Sequence, residues 1–139
     1  ANPCAIMVYM GAIAQGGKTA VTELVLKTVN PLGLPSLPTL TSRTKSLINA
    51  DTAATMADMM AKNVTDTYGA SRFPNMDICA KSGTAEVGGG KAPHAWFAGF
   101  LRNEAAPYAF VVLVENGGSG ADVAGSVAAK VLDALVNGY

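Results

Sequence analysis

Three short runs in the second half of the chain restrict its fold most. They span residues 77–86, 94–101 and 108–115 and are predicted to be β-strands. Only the short segments 87–93 and 102–107 separate them, and connections this short join antiparallel neighbours. The pattern therefore predicts an antiparallel sheet of three consecutive strands.

Helical patterns precede and follow these strands. The first helix is predicted to begin at Asn2 and Pro3, which suit the cap and the first helical position, and to end at Gly16–Gly17. Apolar residues at helical spacing predict the face that it buries: Ile6, Met7, Met10 and Ile13.

Two further helices are predicted, one from Asp51 to Tyr68–Gly69 and one after the glycine-rich loop 116–120. The predicted core face of the second helix comprises Ala54, Met56, Met59, Met60 and Val64. That of the last helix comprises Val123, Val127, Val131, Leu132 and Leu135. Helices grouped around an antiparallel sheet predict an α+β fold for a single unit that spans residues 1–139.

Between the first two helices the chain has a different character. Residues 19–26 are rich in β-branched side chains and are predicted to form a short strand. Pro31, Pro35 and Pro38 predict an irregular segment over residues 30–40.

Composition excludes several classes of function. The formal net charge is zero and the ten basic residues are scattered, so we expect no nucleic-acid partner. No apolar run is long enough to span a bilayer. Cys4 and Cys79 have no metal-ligand spacing, so no metal site is predicted. Two small buried hydrophobic residues are favoured over a disulfide, although sequence alone cannot place the two cysteines relative to each other.

The first predicted strand contains a candidate carboxylate-binding site at Lys81, Ser82, Gly83 and Thr84. Lys81 supplies a positive charge, and the hydroxyls of Ser82 and Thr84 can point to one face of a strand. Because Gly83 has no side chain, a substrate backbone can lie against the strand, and a neighbouring backbone N–H can donate to an oxyanion. Taken alone, the tripeptide Lys-Ser-Gly also fits an ordinary edge strand.

Four blocks in one order extend this motif. Residues 81–86 (KSGTAE) resemble the K-T-G-T-A element of class B penicillin-binding proteins, where K-[ST]-G is a signature. Residues 93–100 (PHAWFAGF) resemble the strand that follows it, and 114–118 (VENGG) the last strand before a C-terminal helix. Residues 12–18 (AIAQGGK) resemble a helix end written A-x-A-N-G-G. The chain thus resembles the C-terminal half of a D,D-transpeptidase domain.

This resemblance implies part of a penicillin-binding-protein or serine β-lactamase-like fold. It also implies that the parent enzyme cross-links peptidoglycan stem peptides through an acyl-serine intermediate and needs no cofactor. It implies that Lys81 sets the electrostatics, that Ser82 and Thr84 hold the carboxylate of a stem peptide or β-lactam, and that the Thr84 amide is half of an oxyanion hole. Residues 93–97 look closest to transpeptidases that partner glycan polymerases in elongation or division. The implied location is outside the cytoplasmic membrane, with an anchor that this chain lacks.

Two other elements of that family, S-x-x-K and S-x-N, precede the A-x-A-N-G-G block in its members and are not found there. Ser42 and Lys45 match S-x-x-K by letters but follow that block, so we interpret them as part of a solvated loop. We therefore expect that the N-terminal half with the nucleophile is absent, that no catalytic residue lies in the chain, and that the chain alone is inactive.

Two alternative functions stay open. The first is a non-catalytic or structural module that binds stem peptide or a β-lactam, and the second is a fragment of a β-lactam sensor or β-lactamase. An open reading frame that begins upstream with both missing elements would exclude the module. Apolar surface left uncovered by the absent half predicts an oligomer or a poorly soluble monomer.

Overall fold

The computed structural model describes residues 2–19, Pro31 and residues 45–138. Its elements are α1 (Pro3–Ala14), β1 (Lys18–Thr19), β2 (Lys45–Ser46), α2 (Ala50–Asn63), β3 (Ile78–Ala85), β4 (His94–Leu101), β5 (Ala109–Val114) and α3 (Gly125–Val136). A π-helical turn at Val64–Tyr68 extends α2, and another at Gly120–Ala124 leads into α3. Apart from Thr19 and Pro31, the predicted strand 19–26 and the irregular segment 30–40 lie outside the described residues.

The predicted strands form one antiparallel sheet in the order β3-β4-β5. The central strand β4 is buried from Phe97 to Leu101, because both faces of the sheet are covered. Phe97 points to one face and Phe100 to the other, and both side chains are almost completely buried. Helices α1 and α2 pack on the Phe100 face, while α3 packs on the Phe97 face. The α+β fold with helices on an antiparallel sheet is confirmed.

The ends of α1 follow the predicted signals. The Asn2 side chain accepts a hydrogen bond from the Cys4 N–H at 2.9 Å, and Pro3 occupies the first helical position. Gly16 and Gly17 then adopt positive φ angles of 63° and 88°. Of the predicted face, Ile13 is buried, Ile6 and Met10 are half-buried, and Met7 is exposed.

The predicted core face of α2 is partly wrong. The helix turns Ala53, Ala57 and Met60 inward, while Met56 lies exposed and Met59 keeps 67% of its surface exposed. The predicted Ala54 is also exposed, whereas Val64 is buried as expected. Packing against β3 explains the choice, because small alanine side chains let the helix lie closer to the sheet than methionines would.

The predicted core face of α3 is also wrong, except at Leu132. Its buried residues are small ones around that leucine: Ala124, Gly125 and Ala128. The predicted stripe is exposed at Val123, Val127, Val131 and Leu135. A β-carbon on Gly125 would lie 3.4 Å from the Phe97 ring, so the small residues allow α3 to approach the sheet closely. The size of the side chains, rather than their hydrophobicity, therefore determines which face of α3 packs on the sheet.

The two cysteines have different outcomes. Both are free thiols; Cys79 is buried as expected, but Cys4 at the start of α1 is exposed. Trp96 is half-buried opposite Gly83. None of the helices in the described part of the chain has the length and apolar character needed to cross a bilayer.

Candidate functional site

The residues Lys81, Ser82, Gly83 and Thr84 all lie on β3, which forms an outer edge of the sheet. Ser82 is paired with Phe97 and Thr84 with Ala95, so the two hydroxyl side chains leave the strand on one face. The structure therefore brings the predicted site residues together along one strand edge.

Two hydrogen bonds show which backbone groups of β3 point outward. The Ser82 N–H donates to the Tyr68 hydroxyl at 2.7 Å, and the Ala80 carbonyl accepts from the Asn63 side-chain amide at 3.3 Å. Because antiparallel ladders alternate, the amide of Thr84 also points away from β4. In the described part of the chain, no loop or side-chain group accepts from the Thr84 N–H. The edge thus offers a backbone donor at Thr84.

Lys81 reaches the same edge from the opposite face of the strand. Its ammonium donates to the Ser82 carbonyl oxygen at 2.9 Å. Its side chain borders a cavity of about 440 Å³ between α1 and α2, lined also by Met10, Ile13, Met56, Met59, Met60 and Asn63. The result is a mostly apolar groove with one positive charge at its β3 end.

Tyr68 is the residue that sequence reasoning missed at this edge. Its hydroxyl accepts from the Ser82 N–H and also donates to the Ser82 Oγ at 2.9 Å. Burial alone raises the pKa of the Tyr68 phenol, but the hydrogen bonds that it shares with Ser82 and Asn63, together with the Lys81 charge, lower this pKa below 10.0. The sequence predicted only a helix end here, because nothing in it relates residues 68 and 82.

The loop before α3 closes against the strand at Gly83 and Thr84. The Gly120 N–H donates to the Thr84 Oγ1 at 3.5 Å. A β-carbon on Gly120 would lie 2.2 Å from the Gly83 carbonyl oxygen, so only glycine allows this approach. The expectation that Gly83 leaves room for a substrate backbone stays a prediction.

Other candidate groups play no part in this cluster. His94 accepts a hydrogen bond on Nδ1 from the Asn116 N–H at 3.0 Å, a structural contact at the start of its strand. Lys45 lies exposed in β2, and Ser42 falls outside the described residues. No group of histidine, cysteine or acidic side chains suited to a metal ion occurs within residues 2–19 and 45–138.

The fold and the edge strand define a class of protein. Residues 1–136 match the family described as the penicillin binding protein transpeptidase domain, and the chain belongs to this family. This confirms the resemblance that the four sequence blocks carried.

Among individual relatives, the chain is 30% identical over 147 residues to the peptidoglycan D,D-transpeptidase PbpA of Mycobacterium tuberculosis H37Rv, covering 99% of the chain and 30% of that protein. The imipenem acyl-enzyme complex of penicillin-binding protein A from M. tuberculosis superposes with a TM-score of 0.82 at 28% identity. That match covers 98% of the chain and 31% of the solved protein. Penicillin-binding protein 2 of Pseudomonas aeruginosa matches with a TM-score of 0.72 at 27% identity, covering 98% of the chain and 30% of that protein. The chain therefore spans about a third of the length of these relatives.

Proposed function

We propose that these residues form the carboxylate-binding side of a peptidoglycan D,D-transpeptidase, which cross-links stem peptides through an acyl-serine intermediate. The observation that carries the proposal is the edge of β3. There the Lys81 ammonium, the Ser82 hydroxyl and an outward-pointing Thr84 amide lie within four residues of one strand edge. A cation, a hydroxyl and a backbone N–H in a row suit a peptide that ends in a carboxylate.

Each group has one role in this proposal. Lys81 supplies the charge that attracts the terminal carboxylate, and the hydroxyls of Ser82 and Thr84 donate hydrogen bonds to it. A nucleophilic serine from outside residues 1–139 gives its proton to its lysine base and attacks the penultimate carbonyl, whose oxygen becomes negative and is stabilised by the Thr84 N–H. Collapse of that intermediate breaks the C–N bond; the lysine passes the proton to the nitrogen, and the terminal D-alanine leaves. The amine of a second stem peptide then attacks the acyl-serine, which forms the cross-link and releases the serine with its proton.

The names of the relatives support recognition of β-lactams by the complete domain. Solved structures of penicillin-binding protein A from M. tuberculosis are described as acyl-enzyme complexes with imipenem, ceftriaxone and penicillin G. A β-lactam carries a carboxylate close to its reactive carbonyl, as the end of a stem peptide does. We propose that the same strand edge binds both.

The serine nucleophile and its lysine base, in this proposal, come from a segment outside residues 1–139. The comparisons support this, because the chain spans only about a third of the length of the transpeptidases that it matches. The proposed protein acts outside the cytoplasmic membrane, held by a membrane anchor. It works with a glycan polymerase in elongation or division.

Intact mass spectrometry tests the proposal. The 139-residue chain and the full-length gene product are each incubated with benzylpenicillin. We expect one ring-opened drug on the full-length product, none on the chain, and no adduct in a variant whose S-x-x-K serine is replaced by alanine. An adduct on the chain itself would place a nucleophile within it, and Ser42 would be the first residue to replace.

The same experiment separates the alternatives. A full-length product that never forms an adduct but binds a D-Ala-D-Ala peptide reversibly would support the non-catalytic module. Rapid hydrolysis of benzylpenicillin with turnover would support a β-lactamase instead. A slow, stable adduct together with release of D-alanine from a stem peptide supports the transpeptidase.

A further inference from the structure

Tyr68 and Ser82 share two hydrogen bonds although 14 residues separate them. The phenol oxygen accepts from the Ser82 backbone N–H at 2.7 Å and donates its proton to Ser82 Oγ at 2.9 Å. One side chain thereby fixes both polar groups that Ser82 offers on this side of the strand. Neither contact is needed to hold the sheet together, because the ladder to β4 uses the alternate residues of β3.

The position of Tyr68 is determined by the core rather than by solvent. Only 6% of its surface is exposed, and its ring packs edge-on against Phe97 with centroids 5.1 Å apart and planes at 67°. The π-helical turn Val64–Tyr68 carries it, and Gly69 with a φ of 87° ends that turn. Its hydroxyl therefore has little freedom to leave Ser82.

The direction of the Tyr68–Ser82 bond determines what Ser82 can do. A serine hydroxyl has one proton, and its position normally rotates to suit its partners. The phenol oxygen already accepts from the Ser82 N–H, so its own proton is directed to Ser82 Oγ, and the serine proton stays available for an acceptor beyond the strand. An ionised carboxylate only accepts hydrogen bonds, so it needs a donor in that orientation.

The second bond determines where a ligand can pair with the strand. The Ser82 N–H is already bonded to Tyr68, so an incoming backbone cannot use it. The next outward-pointing amide of β3 belongs to Thr84. A ligand that adds to this edge is thereby held at one position along the strand.

We infer that Tyr68 is a positioning residue, which holds the Ser82 hydroxyl as a donor to the ligand carboxylate and places the ligand backbone at Thr84. This inference rests on the proposed function, since the carboxylate is that of a stem peptide or β-lactam. Tyr68 is bonded to both the hydroxyl and the backbone N–H of Ser82, so its effect on the ligand passes through Ser82.

The test uses Tyr68→Phe in the full-length gene product, because phenylalanine keeps the ring on Phe97 and removes only the hydroxyl. Second-order acylation rates are measured with benzylpenicillin and with its methyl ester, which lacks the negative charge. We expect Tyr68→Phe to slow acylation by benzylpenicillin by about tenfold, which corresponds to the loss of one charge-assisted hydrogen bond. Acylation by the ester should slow by less than about twofold. Tyr108→Phe, whose ring is exposed in the segment before β5, is the matched control and leaves both rates unchanged.

A double-mutant cycle shows whether the effect passes through Ser82. In a Ser82→Ala background the hydroxyl is gone and only the backbone N–H bond to Tyr68 remains, so Tyr68→Phe is expected to slow acylation by benzylpenicillin by less than about twofold, as it does for the ester. Equal slowing of drug and ester, unchanged rates, or full additivity of the two changes would each overturn the inference. A wild-type product that benzylpenicillin does not acylate would instead overturn the proposed function.

Circular dichroism of each variant guards against a folding defect. If Tyr68→Phe does not fold, Ser82→Ala alone decides, since it leaves the core untouched. Ser82→Ala should then slow acylation by benzylpenicillin about tenfold and leave acylation by the ester nearly unchanged. Equal slowing of both acylation rates would count against the inference.

Discussion

The Lys81 ammonium donates to the carbonyl oxygen of Ser82 at 2.9 Å, although the two side chains leave β3 on opposite faces. The Lys81 side chain borders the groove between α1 and α2, whereas the Ser82 side chain lies on the face of the sheet that carries Tyr68 and Phe97. Their polar groups meet only at the strand edge. An edge strand can gather groups from both faces in this way because its outer backbone groups have no neighbouring strand.

The charge of Lys81 is expected to matter for recognition and little for stability. Lys81→Met keeps an apolar stem in the groove, so we expect the free energy of unfolding to change by less than about 0.5 kcal/mol. Acylation of the full-length gene product by benzylpenicillin should slow by about tenfold or more, because a charge-assisted contact to the carboxylate is lost. Lys91→Met, in the exposed loop before β4, is the control and should leave the rate unchanged. A Lys81→Met rate equal to wild type would contradict the assigned role.

Gly120 is expected to be intolerant of any side chain. A β-carbon there would lie 2.2 Å from the Gly83 carbonyl oxygen and 2.7 Å from that of Trp96, both of them backbone atoms that cannot move alone. Gly120→Ala should lower the free energy of unfolding by about 3 kcal/mol, measured by urea denaturation. Gly11→Ala is the opposite case: its β-carbon would meet Ala109 at an ordinary 4.0 Å, and we expect about 0.5–1 kcal/mol of stabilisation within α1. Equal effects of the two changes would refute this description of the packing.

Adjacent residues of α3 are expected to differ sharply. Leu132 is 2% exposed and Val131 is 53% exposed. Leu132→Ala should cost about 2–5 kcal/mol of unfolding free energy, whereas Val131→Ala should change it by less than about 0.5 kcal/mol. Val131→Lys should also reduce the self-association that we predict for the isolated chain, which size-exclusion chromatography with light scattering would detect. A monomeric wild-type chain at all concentrations would show that the prediction of self-association is wrong.

Cys79 is expected to make the chain sensitive to alkaline pH. Burial raises the pKa of its thiol from 9.0 to about 11. Between these values the unfolded thiol ionises while the folded one does not, so its contribution is complete below pH 9.0 and is lost as pH rises towards 11. The loss amounts to roughly 3 kcal/mol, since each pKa unit is worth about 1.36 kcal/mol.

Urea denaturation at pH 8 and pH 10.5 should show about 2 kcal/mol of this loss, because pH 10.5 lies below the folded pKa, and Cys79→Ala should remove it. The exposed Cys4 supplies an internal control, because it should react with Ellman's reagent in the native chain at pH 8 while Cys79 reacts only after unfolding. Rapid reaction of both thiols in the native chain would contradict the burial of Cys79.

Local signals in the sequence predicted local structure well. The Asn2 cap, the glycine pair after α1 and the three strands lie where they were expected, because each depends on a few adjacent residues. The site motif on β3 was also predictable, since neighbouring hydroxyls two apart must share a face. The family followed from four blocks in order and needed no coordinates.

Which face each helix buries was decided by the tertiary structure. In α2 and α3 the hydrophobic pattern favoured methionines and valines, but apart from Met60 and Leu132 the sheet receives alanines and a glycine, because they allow closer packing. The partnership of Tyr68 with Ser82 likewise needed the fold, since it joins a helical turn to a strand 14 residues later. Sequence alone determined the elements and the motif, because short-range backbone preferences specify them. Only the three-dimensional packing determined the inner faces and the tyrosine at the site, because both depend on the shape of surfaces that are distant along the chain.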